Sequence, residues 1–244
     1  MTRDRVIPRA KRPTPQGAFE TLMALSSKLP GNVGYIARRK LKRRQCNRAQ
    51  DTFSEVLADT RAGDLCIDLG ANVGDITTRM AATGADVISF EPDPDAFAAL
   101  ENATREMGNV TLHQKAAGHE ADQLMLRRLA KWSPGDPTKY TTGSSLVRDD
   151  AKMDSASGVM VDVVDIIAFL EGLDRDIRIL KMDIEGAEWA IMQRLIDHPL
   201  QHRIDCIFVE THERVNPARY VPVFDALQAR AEEITRPYIN LYWV

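Results

Sequence analysis

From residue 63 onward, apolar residues form short runs separated by amphipathic segments. Predominantly apolar runs, typical of strands buried on both faces of a sheet, lie at 65–69, 86–90, 109–113, 177–182 and 204–209. Helical spacing of apolar residues occurs at 74–83, 93–107, 166–170, 187–197 and 221–233. Further strands are predicted at 123–129, 158–164 and 238–244, with a long polar loop at 133–157. This alternation predicts an α/β fold with a doubly wound, mostly parallel sheet.

The pattern before residue 63 is different. Residues 1–16 carry three prolines among charges and little to bury, so we expect them to be disordered. Three helices are predicted, at 19–29, 33–48 and 49–62. The middle one combines a few apolar positions with a strongly basic run at 38–44. We therefore predict a basic, partly disordered and partly helical extension over 1–48, followed by the α/β domain over 49–244.

Charge is distributed unevenly along the 244 residues, whose net charge is only −3. Residues 1–48 carry a net charge of about +11, and the rest of the chain carries about −14. A solvated tail and helix face would explain this asymmetry. The alternative is contact with an anion, which would be an anionic acceptor, an anionic membrane surface or a nucleic acid.

Apolar runs, the N-terminus and the cysteines together predict the cellular compartment. No apolar run approaches the roughly 20 residues that span a bilayer, and no apolar stretch with a cleavage site follows the basic N-terminus. The three cysteines match no zinc-binding spacing, and Cys66 and Cys206 lie in apolar runs. We expect a cytoplasmic protein, with peripheral membrane association through the basic segment left open.

The strongest local signal is a glycine-rich turn after the first predicted strand, where Asp68, Gly70, Asn72 and Gly74 alternate with other residues. Glycines at a strand end allow a sharp turn and close approach of a ligand at the carboxyl edge of the sheet. Asp68 suits a cationic ligand, and S-adenosylmethionine carries both an ammonium and a sulfonium. Glu91 ends the next predicted strand, and its carboxylate can accept hydrogen bonds from both hydroxyls of a ribose.

The spacing of this turn argues against a nicotinamide dinucleotide. Such a cofactor would require G-x-G-x-x-G, whose glycines admit a pyrophosphate. Here Asn72 occupies the position of the second glycine, and the last glycine of the pattern, Gly74, follows it after one residue rather than two. The carboxylate of Asp68 would also repel a pyrophosphate. The turn therefore favours a nucleoside without phosphates over a dinucleotide. A purely structural turn with an incidental glutamate is the alternative.

Charged residues also cluster at the ends of two later strands. Lys181 and Asp183 share a face by strand alternation, with Glu185 close behind them, and Glu210 and His212 share a face in the same way. If the first of these strands lies beside the glycine-turn strand, its end faces the cofactor. Carboxylates in that position suggest proton abstraction from an acceptor hydroxyl, or binding of a cation.

The roles within these clusters have alternatives. We expect Asp183 or Glu210 to be the catalytic base, with His212 as a rival and Lys181 orienting a carboxylate or the acceptor oxygen. Asp183, Glu210 and His212 could instead hold a divalent cation such as Mg²⁺. In the simplest reading, Lys181 forms a structural ion pair with Asp183 or Glu185, and His212 caps a strand end.

Three motifs together resemble one family. They are DLGANVG at 68–74, SFEP at 89–92 and LKMDIEGAE at 180–188. In these motifs the chain is similar to the FkbM family of class I S-adenosylmethionine-dependent methyltransferases, over roughly residues 50–235. The resemblance implies a seven-stranded Rossmann-like sheet and O-methylation, commonly of a hydroxyl in a sugar, glycan, glycolipid or natural product.

The resemblance also implies roles for individual residues. Asp68, Gly70, Asn72 and Gly74 would line the methionine part of the cofactor. Glu91 would hold the ribose, with Asp93 close by. The adenine would lie between Lys115 and Ala116. The segment 142–146, which includes Ser144, would lie near the site, and Asp183 and Glu185 would face the transferred methyl group.

Two departures from the family pattern bear on these expectations. The sequence after Glu233 is shorter than usual in the family, so the final antiparallel hairpin is expected to be short or incomplete. The basic N-terminal segment lies outside the common pattern, and it leaves the acceptor undetermined.

We expect a small-molecule or glycan acceptor. A nucleic-acid methyltransferase that uses residues 38–44 is disfavoured, because no aromatic residues interleave with the basic run to stack on bases. A non-enzymatic scaffold with the same fold is the third alternative.

Overall fold

Six parallel strands form the central sheet of the computed structural model. They are β1 (Leu65–Leu69), β2 (Asp86–Phe90), β3 (Val110–His113), β7 (Ile177–Met182), β8 (Ile204–Glu210) and β9 (Tyr238–Trp243), in the spatial order β3-β2-β1-β7-β8-β9. Every position of β1, β7 and β9 is buried, which explains why apolar runs rather than alternating patterns mark them. The strand order reverses between β1 and β7, so the carboxyl ends of these two neighbours flank the crevice where such sheets bind ligands.

The structure describes residues 7–8, 15–131, 144–146, 153–213 and 216–243. Most of the predicted disorder over 1–16 and most of the predicted loop at 133–157 lie outside these ranges. The end of that segment, from Met153, belongs to a strand instead.

A separate three-stranded sheet follows the third strand of the central sheet. It contains β4 (Ala116–Gly118), β5 (Asp122–Leu129) and β6 (Met153–Asp165), in the order β4-β6-β5. β4 lies parallel to β6, and β5 lies antiparallel to it.

The prediction of a seven-stranded sheet is wrong, although the α/β class and the parallel sheet are confirmed. The predicted strands at 123–129 and 158–164 correspond to β5 and β6, which pair with each other and leave the central sheet. After the last helix only β9 follows, and it lies parallel to β8, so no antiparallel hairpin completes the central sheet in the described chain.

Two helices come before the first strand in the chain, and the others alternate with the strands of the central sheet. Within the described ranges they are α1 (Gly17–Ser26), α2 (Gly31–Ala58), α3 (Asp75–Ala81), α4 (Pro94–Thr104), α5 (Ile166–Glu171), α6 (Glu188–Leu195) and α7 (Pro217–Glu233), with a 3-10 helix at Pro199–Arg203. None of the helices in the described ranges is both long enough and apolar enough to cross a membrane.

The second helix runs without interruption from the basic segment into the α/β domain. The sequence pattern predicted two helices here, but no glycine or proline occurs between Tyr35 and Ala58 to end the first one. The second half of α2 buries Phe53, whose ring centroid lies 4.3 Å from that of Trp243 and 5.1 Å from that of Phe208. This packing holds the basic half of α2 against the edge of the sheet that β9 forms.

Candidate active site

The glycine-rich turn joins the ends of three strands. Gly70 and Asn72 both have positive φ, at +80° and +48°. The backbone N–H groups of Gly70 and Ala71 both donate to the carbonyl of Phe90 at the end of β2. A Cβ atom on Gly70 would lie 1.8 Å from the carbonyl oxygen of Asp183, which follows β7. Only glycine therefore allows the turn to pack this closely against the second acidic motif.

Asp68 and Lys181 form a buried ion pair beneath the turn. The Lys181 Nζ lies 3.0 Å from Asp68 Oδ1 and donates to the carbonyl of Gly70 at 2.7 Å. Thr77 donates to the other carboxylate oxygen of Asp68 at 2.7 Å. Burial alone lowers the pKa of Lys181, but the carboxylates of Asp68, Asp183 and Glu91 together outweigh burial and raise that pKa. The structural ion pair considered for Lys181 thus exists, with Asp68 rather than Asp183 or Glu185 as its closest partner.

Glu91 closes one end of the cleft above the turn. Its Oε2 accepts the N–H of Asn72 at 2.8 Å, and its Oε1 accepts the N–H of Asp93 at 2.8 Å. Burial raises the pKa of Glu91 to about 7, and these two backbone hydrogen bonds oppose the rise. Each carboxylate oxygen keeps a further lone pair, so the group can still accept hydrogen bonds from a ligand.

The cleft itself is lined by residues from both predicted motifs and from the small sheet. They are Gly70, Asn72, Glu91, Pro92, Ala116, Ala117, Leu126, Ser144, Leu146, Asp183, Ile184 and Glu185. The side chains near β4 and β5 are apolar, whereas Glu91, Asp183 and Glu185 carry carboxylates. Its enclosed volume is about 70 Å³.

Four of the predicted cofactor residues lie outside this lining. Asp68 lies beneath the turn, and Gly74 packs against α4, where its Cβ would meet Leu100 at 2.9 Å. Lys115 is exposed. Asp93 is buried, caps α4 by accepting the N–H of Asp95, and pairs with a buried arginine.

That arginine, Arg128 on β5, connects the small sheet to the end of β2. Its guanidinium donates to both Asp93 oxygens, at 2.7 and 2.9 Å, and lies 2.8 Å from an oxygen of Asp95. Ser144 Oγ lies 3.4 Å from Asp93. The predictions missed Arg128, although strand alternation with the buried Leu126 would have placed it inward.

A fully buried histidine stands at the centre of the second acidic motif. The Nδ1 of His212 lies 2.9 Å from Glu188 Oε1. Its Nε2 faces three carboxylates: Glu185 at 3.4 Å, Glu210 at 3.5 Å and Asp183 at 3.8 Å. The predicted catalytic residues Asp183, Glu185, Glu210 and His212 therefore do converge, and Lys181 lies apart from them. Glu188, which the predictions did not assign to the site, completes the group.

The charges in this cluster decide which residue can act as a base. Burial by itself lowers the pKa of His212, but the nearby carboxylates of Glu185 and Glu188 together outweigh burial and raise that pKa to about 10. Burial raises the pKa of Asp183 to about 7, although Lys181 and His212 oppose the rise. At neutral pH His212 is therefore an imidazolium, whereas Asp183 titrates in the range that suits proton transfer.

The same cluster meets the geometric requirement for a metal site. One ligand atom each from Asp183, Glu210 and His212 lie within 4.8 Å of one another. Carboxylates suit Mg²⁺, but a cation would have to displace the proton that His212 holds among its acidic neighbours.

Comparison with known proteins gives the family. Residues 68–230 match the methyltransferase FkbM domain. The chain is 25% identical over 172 residues to the hexuronic acid methyltransferase AglP of Haloferax volcanii, which covers 69% of this chain and 64% of that protein. The chain thus spans slightly less than two thirds of this relative.

Two solved structures show more distant likeness. Precorrin-6y C5,15-methyltransferase from Geobacter metallireducens has a TM-score of 0.36 and 12% identity, covering 73% of this chain and 70% of that chain. An rRNA methylase from Streptococcus thermophilus has the same TM-score and identity, covering 69% and 75%. The matched domain includes the glycine-rich turn, Glu91 and the His212 cluster, and the chain belongs to the FkbM family of methyltransferases.

Proposed function

We propose that this methyltransferase moves a methyl group from S-adenosylmethionine to a hydroxyl oxygen of a sugar-containing acceptor, with Asp183 as the general base. The observation that supports this most strongly is the position of Asp183. It lines the cleft that begins at the glycine-rich turn, and it also contacts the cluster around His212. Cofactor and base would therefore meet at one point.

The lining of the cleft fits the chemistry of an adenosine group. Glu91 would accept the ribose hydroxyls, and Ala116, Ala117 and Leu126 would cover the apolar faces of the adenine. Gly70 and Asn72 would contact the methionine part. The enclosed volume is below the roughly 300 Å³ typical of ligand pockets, so we expect Leu146 to move outward on binding.

When bound, the cofactor supplies an activated methyl group on a sulfonium, so this chain mainly positions the acceptor and removes its proton. The methyl carbon would pass to the acceptor oxygen as its bond to sulfur breaks, and the electron pair of that bond would stay on sulfur. Asp183 takes the hydroxyl proton. The His212 imidazolium holds Glu185 and Glu210 beside it and keeps Asp183 partly ionised near neutral pH.

The sugar acceptor is supported by the name of the relative from Haloferax volcanii, a hexuronic acid methyltransferase. In the alternative role, a divalent cation would bind to Asp183, Glu210 and His212.

The experiment is calorimetric titration with S-adenosylmethionine, followed by mass spectrometry of a panel of sugar glycosides incubated with the protein and the cofactor. We expect binding, and a mass increase of one methyl group on a hydroxyl-bearing acceptor. Absence of cofactor binding, or methylation on nitrogen or carbon instead, would contradict the proposal.

A further inference from the structure

A second cavity of about 390 Å³ lies between α2 and the ends of β8 and β9. We call it the α2 pocket. One wall is a single stripe of α2, and the other comes from the strand ends; the lining residues are Tyr35, Arg38, Arg39, Lys42, Arg43, Cys46, Glu210, Thr211, Glu213 and Trp243. Its volume falls within the range typical of small-molecule sites.

The α2 pocket and the cofactor cleft are neighbours across the acidic cluster. Glu210 lines the α2 pocket, and Asp183 lines the cofactor cleft. Both carboxylates contact the same His212 Nε2, at 3.5 and 3.8 Å. The two cavities therefore adjoin at these two carboxylates, and an acceptor bound in the α2 pocket would extend its hydroxyl past Glu210 toward Asp183 and the methyl group.

Two of the four basic side chains that line the α2 pocket form ion pairs within the described ranges, and two do not. Arg38 pairs with Asp225 at 2.5 Å, and Lys42 pairs with Glu213 at 2.7 Å. Arg39 and Arg43 are exposed one helical turn apart, and neither forms an ion pair with the residues that the structure describes. Two guanidinium groups in this position match the fork geometry of a carboxylate, sulfate or phosphate.

We propose that the α2 pocket binds the acceptor and that Arg39 and Arg43 hold an anionic group on it. This inference rests on the proposed function and narrows the acceptor to sugars that carry a negative charge. The acceptor hydroxyl would lie near Glu210 and Asp183, while its anionic group lies toward solvent. The basic residues of α2 would then select acceptors that carry a negative charge.

Binding can be tested without turnover. Calorimetry would compare p-nitrophenyl β-D-glucuronide, p-nitrophenyl β-D-glucoside and glucose 6-phosphate on the full chain, on R39Q/R43Q, and on K40Q/R44Q. The last variant removes the same charge from a neighbouring face of α2 outside the pocket. We expect at least one anionic sugar to bind about tenfold or more tightly than the glucoside, R39Q/R43Q to lose that preference, and K40Q/R44Q to keep it.

Equal affinity for charged and neutral sugars, a preference that survives R39Q/R43Q, or no binding of any of the three probes would overturn the inference. The two anionic probes show whether a carboxylate or a phosphate is recognised. Cofactor binding, measured separately on the same variants, keeps the two proposals apart. In the natural protein, cofactor binding without a preference for anionic sugars contradicts only the α2 pocket, whereas that preference without cofactor binding contradicts only the proposed function.

A different observation concerns the outer surface of α1 and of the first turns of α2. Large apolar side chains are 45–62% exposed there: Phe19, Leu22, Leu25, Leu29, Val33 and Ile36. The one buried residue of α1 is Glu20, which pairs with Arg48 at 3.0 Å. The apolar side of α1 therefore lacks a protein partner within the described ranges.

Basic residues lie next to this apolar surface, further along α2. Val33 and Ile36 share a helical stripe with Lys40 and Arg44, and the Arg44 guanidinium lies 4.6 Å from the ring of Phe19. Apolar side chains beside exposed cations are the arrangement of helices that lie in the interface of an anionic bilayer. We infer that this surface docks on anionic lipid.

Vesicle co-sedimentation tests this second inference, with phosphatidylcholine vesicles compared with vesicles that contain one third phosphatidylserine. We expect binding to the anionic vesicles only, a loss of about fivefold or more in L25S/V33S, and no change in M160S, where a methionine of similar exposure lies on β6. No binding to anionic vesicles, or unchanged binding by L25S/V33S, would contradict it. A dimer in solution that L25S/V33S dissociates would assign the surface to a second copy and overturn it as well.

Discussion

The Glu188 carboxylate fixes both the backbone and the side chain of His212. Its Oε1 lies 3.0 Å from the backbone N of His212 and 2.9 Å from Nδ1, and its Oε2 accepts the N–H of Gly186 at 2.7 Å. Both side chains are fully buried. One carboxylate thus joins the start of α6 to the end of β8 and orients the imidazolium toward Asp183, Glu185 and Glu210.

Replacing Glu188 by glutamine should destabilise the protein because it leaves the buried imidazolium with less compensating charge. We expect the free energy of unfolding to fall by about 3 kcal/mol or more near neutral pH, measured by chemical denaturation. E120Q is the matched control, since its His119 partner at 3.5 Å is a surface pair, and it should change little. Similar stability of E188Q and the natural protein would contradict this role.

The pH dependence of that difference follows from the pKa of His212, which rises from 6.5 to about 10 on folding. A raised pKa stabilises the folded state fully below pH 6.5, and the contribution is lost as pH rises toward 10. The stability gap between the natural protein and E188Q should therefore shrink over that interval. A gap that widens with pH would show that His212 is not held as a cation.

Gly70→Ala should be far more damaging than Gly63→Ala. Both glycines have similar positive φ, +80° and +88°, so both substitutions carry the backbone cost of about 1–2 kcal/mol. Only at Gly70 would the new Cβ also collide with a backbone oxygen, that of Asp183 at 1.8 Å, whereas nothing lies within 4 Å at Gly63. Thermal unfolding and cofactor titration of both variants would check this, and equal effects would contradict the tight packing of the turn.

The sequence predicted most of the fold because the central strands are predominantly apolar. All six predicted strands of the central sheet begin and end within one residue of the observed strands. It could not predict β4, which has only three residues, or the fact that β5 and β6 leave the central sheet. Those features depend on pairing between distant segments, which periodicity does not encode.

The site was predicted less completely for a geometric reason. Strand alternation placed Lys181 and Asp183 on one face, but β7 ends at Met182, so Asp183 lies beyond the strand and the alternation stops applying. Lys181 turns toward Asp68 instead. His212 likewise follows the end of β8 at Glu210, yet the chain still brings the two together.

Glu91→Gln should weaken cofactor binding, because an amide offers fewer acceptor sites to ribose hydroxyls than a carboxylate. We expect the Kd for S-adenosylmethionine to rise about tenfold or more, while E101Q on the exposed side of α4 leaves it unchanged. The pKa of Glu91 is about 7, so affinity of the natural protein should decline as pH falls below 7. Calorimetry across pH measures both effects, and a Kd independent of Glu91 would exclude it from the ribose site.

Metal removal should leave methyl transfer intact at pH 7, because the His212 proton already supplies the positive charge that a cation would bring. Activity would be measured before and after dialysis against EDTA, and again after addition of Mg²⁺. Loss of activity that Mg²⁺ restores would instead assign Asp183, Glu210 and His212 as metal ligands.

The most direct test of Asp183 as the base is the pH dependence of kcat/KM for the acceptor at saturating S-adenosylmethionine. A base must be deprotonated to act, so kcat/KM should rise with pH through a midpoint of about 7. D183N should lower it by about 10²-fold or more with cofactor affinity retained, and D176N, at an exposed carboxylate, should match the natural protein. A profile that is flat through pH 7, or full turnover by D183N, would contradict the mechanism.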